Sequence, residues 1–105
     1  MKIAMACDHG GLRLKNVLKD DLEKNGYEVE DFGCYNEESC DYPDYAAKAA
    51  KAVANGECEK GVVVCGTGIG VSIAANKVKG VRACVCSEPY TAKLSRMHNN
   101  SNVLA

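Results

Sequence analysis

The residues best suited to chemistry lie together in the segment Cys65-Gly66-Thr67-Gly68-Ile69-Gly70, directly after the apolar run 61–64. This order predicts a strand that ends in a thiol, followed by a glycine-rich turn into a helix. The N–H groups of such a turn can hold an anion, and the helix dipole favours the thiolate form of a cysteine beside them. We therefore predict that Cys65 is a base or a nucleophile, the alternative being one more core cysteine among seven.

The same segment matches no standard nucleotide-binding loop. No Gly-Lys-Ser/Thr sequence closes it, as a Walker A motif requires. Its glycine spacing differs from the dinucleotide fingerprint, and it follows the third predicted strand rather than the first. What remains is a general anion cradle or, equally, a simple tight turn. Thr67 would either donate a hydrogen bond to a developing oxyanion or cap the helix.

Two further pairs of polar residues offer groups for binding and proton transfer. Asp8-His9 follows the first apolar run, where its carboxylate and imidazole would bind sugar hydroxyls or cap the next helix. His98 stands at the end of the last predicted helix, followed by Asn99. An imidazole there can be a general acid near neutral pH, or it can interact favourably with the helix dipole.

The composition narrows the function classes. The chain has 105 residues, 47% of them hydrophobic and 26% charged, which is typical of one globular domain spanning residues 1–105. A net charge of −1 gives no support for a nucleic-acid-binding or membrane-binding surface. No apolar run approaches the roughly 20 residues that cross a bilayer. We therefore expect neither a nucleic-acid partner nor a membrane partner.

The cysteines indicate a reducing environment. There are seven, an odd number, and the N-terminal apolar run is too short for a signal peptide. This argues against a disulfide framework and predicts a cytoplasmic location. The absence of a Cys-x-x-Cys pair argues against zinc, so we expect no metal site and interpret most of these thiols as small apolar side chains.

Strand-like and helix-like segments alternate along the whole chain. Strands are predicted over 2–6, 27–32, 61–64 and 81–86, and from 102 onward. Four helices are predicted between them. The first has apolar residues at helical spacing, namely Leu14, Val17, Leu18 and Leu22, and the second has an Asp41 cap and an apolar face of Tyr45, Ala46, Ala49, Ala50 and Val53. The third and fourth helices are predicted over 69–77 and 89–98. This alternation predicts a parallel sheet covered on both faces. No turn or helix follows the last apolar run, so we expect a chain that continues beyond residue 105.

The predicted topology also suggests where a ligand would bind. Ligands of open parallel sheets bind beyond the carboxyl ends of the strands. The Asp8-His9 loop follows the first strand and the Cys65 loop follows the third. If these two strands are neighbours, both loops face one crevice.

Taken together, these motifs resemble the ribose-5-phosphate isomerase B family, which is related to the galactose-6-phosphate isomerase subunits. The resemblance covers the whole chain. It is carried, in order, by Asp8-His9-x-Gly11, the segment 26–33, Asp41-Tyr42-Pro43-Asp44, the segment 65–70, Ile73-Ala74-Ala75-Asn76-Lys77 and His98-Asn99. It implies a Rossmann-like α/β/α sandwich and a cofactor-free interconversion of an aldose phosphate and a ketose phosphate.

The resemblance also implies roles for single residues. Cys65 would be the base that moves a proton between C1 and C2, and His98 would assist ring opening as a general acid. Thr67 and the N–H groups of residues 66–70 would stabilise the enediolate. The sugar phosphate would be bound by Asp8, His9, Asn99 and the loop residues Gly66, Gly68, Ile69 and Gly70.

Family members continue into a further helical region, whose arginines bind the phosphate, often across a subunit interface. Arg82 and Arg96, the only arginines outside the first helix, do not match those positions. We therefore expect the C-terminal helical region to be missing from these residues. The family resemblance further implies a homodimer or homotetramer with a shared active site.

Three functions remain open from the sequence. The first is a ribose-5-phosphate isomerase, the second a galactose-6-phosphate or allose-6-phosphate isomerase, and the third a non-catalytic module that binds sugar phosphates. The presence of Cys65, Thr67 and His98 in one chain favours the first, because the galactose enzyme tends to divide such residues between two types of subunit.

Overall fold

A computed structural model describes residues 1–36, 38 and 40–105. The strands are β1 Lys2–Cys7, β2 Glu28–Asp31, β3 Lys60–Val64, β4 Ala83–Cys84 and β5 Val103–Leu104. The helices are α1 Leu12–Lys24, α2 Tyr42–Ala54, α3 Ile69–Asn76 and α4 Pro89–Asn99, and a 3₁₀ turn, His9–Gly11, precedes α1. The polar sequence 33–41 predicts a loop, and part of this loop lies outside the described residues.

All five strands are parallel, in the order β2-β1-β3-β5-β4. The predicted α/β class with a parallel sheet is therefore confirmed, and β3 is the central strand, as the apolar sequence of its residues 61–64 indicates. β4 pairs only with β5, and it is shorter than the predicted range 81–86.

The sheet carries an alanine-rich layer on one face. Ala46, Ala49 and Ala50 of α2 are at most 1% exposed, and they pack with Ala4, Ala6 and Val63 of the sheet. Small side chains allow the helix backbone to approach the sheet closely. The predicted inner face of α2 is thus confirmed, but Asp41, at the N-cap position, makes no capping hydrogen bond through its carboxylate.

The predicted inner face of α1 is partly wrong. Leu14 and Val17 are 53% and 64% exposed, whereas Leu12 and Lys15 are buried. The reason is a buried ion pair: the Lys15 ammonium lies 2.8 Å from the Asp31 carboxylate and also donates to Cys34 O. The ammonium finds polar partners at the end of β2, so its aliphatic stem can occupy a core position.

Candidate active site

The two loops that were predicted to face one crevice lie side by side at the carboxyl ends of β1 and β3. These strands are neighbours, and their last residues, Cys7 and Val64, are register partners. The next residues along the two chain segments, Asp8 and Cys65, therefore start adjacent loops. The link between the loops is direct, because the Asp8 N–H donates to Val64 O at 3.1 Å.

Gly11 lets the two loops approach each other closely, whereas its neighbour Gly10 has room for a side chain. A Cβ on Gly11 would lie 2.4 Å from Val64 O, a distance that excludes any side chain. A Cβ on Gly10 would lie 3.4 Å from Asp8 Oδ1 and 3.9 Å from Gly66 N, which are ordinary contact distances. The Asp8 loop and the glycine loop thus form two walls of one site.

The Asp8-His9 pair takes one of the two roles that its sequence suggested, the capping of the turn before α1. Asp8 Oδ1 accepts from Gly11 N at 2.9 Å and caps the 3₁₀ turn. His9 is exposed, and its Nδ1 accepts from Cys40 N at 3.4 Å. That contact leaves the proton of a neutral imidazole on Nε2, so the outer edge of His9 can donate to a bound hydroxyl.

The glycine loop folds over the Cys65 sulfur. Gly68 has φ +80°, a left-handed conformation that favours glycine, and its N–H donates to Cys65 Sγ at 3.1 Å. The next N–H, that of Ile69, donates to Thr67 Oγ1 at 3.1 Å. The Thr67 hydroxyl is therefore an acceptor within the loop and keeps its own proton for donation to a ligand.

Not every N–H group of the loop is free to bind an anion. The N–H groups of Gly68 and Ile69 already serve Cys65 and Thr67. In the part of the chain that the structure describes, those of Gly66 and Gly70 have no acceptor. Gly66 directly follows Cys65, and Gly70 lies in the first turn of α3, where N–H groups have no acceptor within the helix.

His98 and Asn99 lie at the amino ends of the strands, whereas Cys65 follows the carboxyl end of β3. α4 starts beyond the carboxyl end of β4 and returns to its amino end, where Arg82 Nε donates to Asn99 O at 2.6 Å. β3 has five residues and spans about 16 Å. A single chain therefore does not bring these exposed residues next to Cys65.

Comparisons with known proteins identify the family. The model of the family described as Ribose/Galactose Isomerase matches residues 3–105. The chain belongs to this family. It is 56% identical over 104 residues to the ribose-5-phosphate isomerase B of Escherichia coli K12, covering 99% of this chain and 70% of that protein.

Solved structures of the same family agree. The ribose-5-phosphate isomerase B of Clostridium thermocellum superposes with a TM-score of 0.99 at 57% identity, covering 100% of this chain and 71% of that one. The enzyme of Mycoplasma genitalium with bound ribulose-5-phosphate has a TM-score of 0.92 at 44% identity, covering 98% of this chain and 69% of that one. The family resemblance and the Rossmann-like fold predicted from the sequence are confirmed.

The isomerase-family site includes two neighbours that the sequence analysis did not single out. A Cβ on Gly70 would lie 3.0 Å from the Tyr42 ring, so this ring forms a wall beside the glycine loop. The second neighbour is Cys40, whose backbone N–H orients His9. Cys40 precedes the motif Asp41-Tyr42-Pro43-Asp44 and Tyr42 belongs to it, but the proline and acidic residues of this motif indicate a helix start and not a site.

The residues that the structure describes contain no group of three His, Cys, Asp or Glu side chains that could hold a metal ion. Among them, no helix is long and apolar enough to cross a bilayer.

Proposed function

We propose that this protein interconverts ribose 5-phosphate and ribulose 5-phosphate, with Cys65 as the base. The observation that carries this proposal is the meeting of the Asp8 loop and the Cys65 loop at one crevice, in a chain of this isomerase family. The ligand bound to the Mycoplasma genitalium enzyme supports a pentose phosphate as substrate.

The reaction needs a base on one side of the substrate and hydrogen-bond donors on the other. The Cys65 thiolate takes the proton from C2 of the open-chain aldose, and negative charge develops on O1. The proton returns at C1, while the hydroxyl proton moves from O2 to O1, which yields the ketose. The free N–H groups of Gly66 and Gly70 and the Thr67 hydroxyl stabilise the enediolate oxygens.

Asp8 and His9 bind and orient the sugar in this proposal. One oxygen of the Asp8 carboxylate caps the 3₁₀ turn, and the other can accept from a sugar hydroxyl. His9 Nε2 donates from the opposite wall. Holding the reacting carbon close to the thiolate supplies part of the rate enhancement through proximity. The proposed chemistry uses no metal and no organic cofactor.

The direct test is a coupled isomerase assay on ribose 5-phosphate. The Cys65→Ala variant should lose turnover by a factor of 10³ or more, with an unchanged circular dichroism spectrum. Cys84→Ala is the matched control, because it removes another half-buried thiol, in β4, and should keep activity. Full turnover by Cys65→Ala would contradict the assignment of the base.

We further propose that a second copy of the chain supplies His98 and Asn99. The direction of α4 supports this, since these residues lie at the amino ends of the strands and the Cys65 of their own chain lies at the carboxyl ends. A partner can present them to the crevice, where His98 would open the furanose ring as a general acid and Asn99 would bind the sugar. The proposed assembly is a homodimer, or a homotetramer built from such dimers.

A mixing experiment tests the shared site. Co-expressed Cys65→Ala and His98→Ala chains should form mixed dimers in which one of the two sites keeps both residues. With random pairing, about a quarter of the wild-type activity should return, although each variant alone is nearly inactive. Recovery near zero in mixed dimers, isolated with two different affinity tags, would place both residues in the site of one chain.

The family also includes galactose isomerases, as the description of its model shows. A substrate panel of ribose 5-phosphate, galactose 6-phosphate and allose 6-phosphate distinguishes the pentose activity from the hexose activities. Binding of a sugar phosphate without turnover of any of the three would favour a non-catalytic binding module.

We place the enzyme in the cytoplasm, in the pentose phosphate pathway. All seven cysteines are free thiols, and Cys7 and Cys34 stay unbonded at an Sγ–Sγ distance of 3.9 Å. Unbonded thiols this close together are consistent with a reducing compartment.

A further inference from the structure

A group of three thiols lies directly behind the Asp8 loop, and the proposed isomerisation does not use it. Cys7 ends β1, and Cys34 follows β2. Their Sγ atoms are 3.9 Å apart, and the two residues are only 1% and 3% exposed. The half-buried Cys40 packs against this pair. We call Cys7, Cys34 and Cys40 the thiol cluster.

The backbones of Cys7 and Cys34 are already adjacent. The Cys7 N–H donates to Gly33 O at 2.6 Å, and the Cys34 N–H donates to Cys7 O at 3.0 Å. A disulfide requires an S–S distance of about 2.05 Å and Cα atoms roughly 4.4–6.8 Å apart. Hydrogen-bonded backbones satisfy the second requirement, so the sulfurs have to approach by only about 2 Å, through changes in the two side-chain torsions and a small shift of the end of β1.

The surroundings of Cys7 and Cys34 determine how readily their thiols react with an oxidant. Burial raises the pKa of the Cys7 and Cys34 thiols, and the Lys15 charge offsets part of that increase. The Lys15 ammonium is fully buried and donates to Cys34 O at 2.8 Å. Since the thiolate is the reactive form, the pair stays reduced under mild conditions. A persistent oxidant can still react through the small thiolate fraction.

We propose that a hydroperoxide oxidises Cys7 and Cys34 to a reversible intramolecular disulfide, and that this bond lowers isomerase activity. One thiolate attacks the peroxide O–O bond and becomes a sulfenic acid, releasing an alcohol or water. The second thiolate then attacks the sulfenic sulfur and displaces its oxygen as water. Two electrons leave the sulfurs and reduce the peroxide bond, and a thiol reductant reverses the change.

The effect on activity follows from the position of Cys7, and this part rests on the proposed function. Cys7 precedes Asp8, whose N–H bonds to Val64 O at the rim of the site. Closing the sulfurs pulls the end of β1 toward the turn after β2. That movement displaces the Asp8 carboxylate from the glycine loop, so the oxidised enzyme should bind sugar phosphate more weakly.

The test treats the wild-type protein with hydrogen peroxide and maps its disulfides by mass spectrometry without reduction. We expect a peptide pair linked through Cys7 and Cys34, a mass loss of two hydrogens, and restoration by dithiothreitol. Cys58→Ser is the matched control, since it removes a buried thiol outside the cluster and should leave the link intact. A link between Cys34 and Cys40 instead, or the absence of any link after Cys65 has been fully oxidised, would overturn the proposal.

Activity is measured on the same samples. Cys34→Ser and Cys34→Ala report the loss that comes from oxidation of Cys65 alone, so the wild type should lose at least threefold more reductant-reversible activity than either variant. Equal losses in the presence of the mapped link would refute the effect on activity. Because mapping needs no turnover, failure of the isomerase proposal would be distinguishable from failure of this one.

Discussion

At the scale of single residues, two neighbouring glycines differ in the space that the structure leaves for a side chain. Gly11 lies against the Val64 carbonyl, where a Cβ would approach to 2.4 Å, whereas Gly10 faces open contact distances. The two positions are adjacent in the sequence, and composition alone does not distinguish them. Only the proximity of β3 makes one of them obligatory.

This difference gives a matched pair of variants. Gly11→Ala should destabilise the protein by about 2 kcal/mol or more, because the backbone of β1 or β3 must shift. Gly10→Ala should change the free energy of unfolding by less than about 1 kcal/mol. Urea unfolding monitored by circular dichroism measures both. Equal changes in the free energy of unfolding for the two variants would contradict the predicted difference between the two positions.

The sequence placed Asp8 and Cys65 well, because both follow apolar runs whose ends are easy to recognise. It could not place Lys15. Charged residues are normally exposed, and the carboxylate that pairs with Lys15 lies 16 positions away at the end of β2. For the same reason the buried face of α1 was shifted, since the side chain that defines it is a lysine.

At the scale of elements, the amino end of β1, the neighbouring strand β2 and the segment before β3 contribute Lys2, Glu30 and the buried Cys58 to a small charged cluster. Lys2 and Glu30 form an ion pair at 3.0 Å, and Cys58 Sγ donates to the same Glu30 oxygen at 3.6 Å. Burial, followed by the Glu30 charge, raises the pKa of Cys58 to about 11 from its ordinary value near 9. The hydrogen bond from Lys2 to Glu30 also raises the pKa of Lys2.

The cluster predicts a loss of stability at alkaline pH. Below pH 9 the Cys58 thiol is protonated in both the folded and the unfolded chain. Between pH 9 and about 11 the unfolded chain loses this proton first, so the free energy of unfolding should fall as pH rises. Thermal melting from pH 8.5 to 11 should show a steeper decline for the wild type than for Cys58→Ala. Parallel declines would mean that Cys58 titrates no differently in the folded protein.

Among the elements, some features could be predicted from the sequence and others could not. The alternation of strands and helices was sufficient to predict the parallel sheet, and the alanines of α2 were sufficient to predict close packing. The extent of β4 was not predictable, because the sequence 81–86 does not indicate which of its residues pair with β5. Only Ala83 and Cys84 form the ladder.

At the scale of the whole molecule, Asn102 holds together segments that are distant in the sequence. Its side-chain amide donates to Gly80 O at 3.0 Å and accepts from Arg82 N at 2.8 Å. Its backbone O accepts from Gly61 N at 2.9 Å. One residue therefore connects the starts of β3, β4 and β5.

Replacing this residue should weaken the whole sheet. Asn102→Ala removes both side-chain hydrogen bonds and leaves their partners without a substitute, at a cost of about 1–3 kcal/mol. Asn102→Asp keeps the acceptor for Arg82 N and should lose less. Asn16→Ala, exposed on α1, is the control. The measurement is the midpoint of guanidinium unfolding, and an unchanged midpoint for Asn102→Ala would contradict this role.

The strand order also bears on synthesis at the ribosome. β5 lies between β3 and β4, so β4 has no partner until residues 103 and 104 have been translated. Nascent chains fold from the N-terminus as they emerge, and β1, β2 and β3 can pair early. The far side of the glycine loop, where Gly68 approaches Val85 and Ala105, forms later. The surroundings of the Cys65 thiol are therefore complete only after residue 105 has been synthesised.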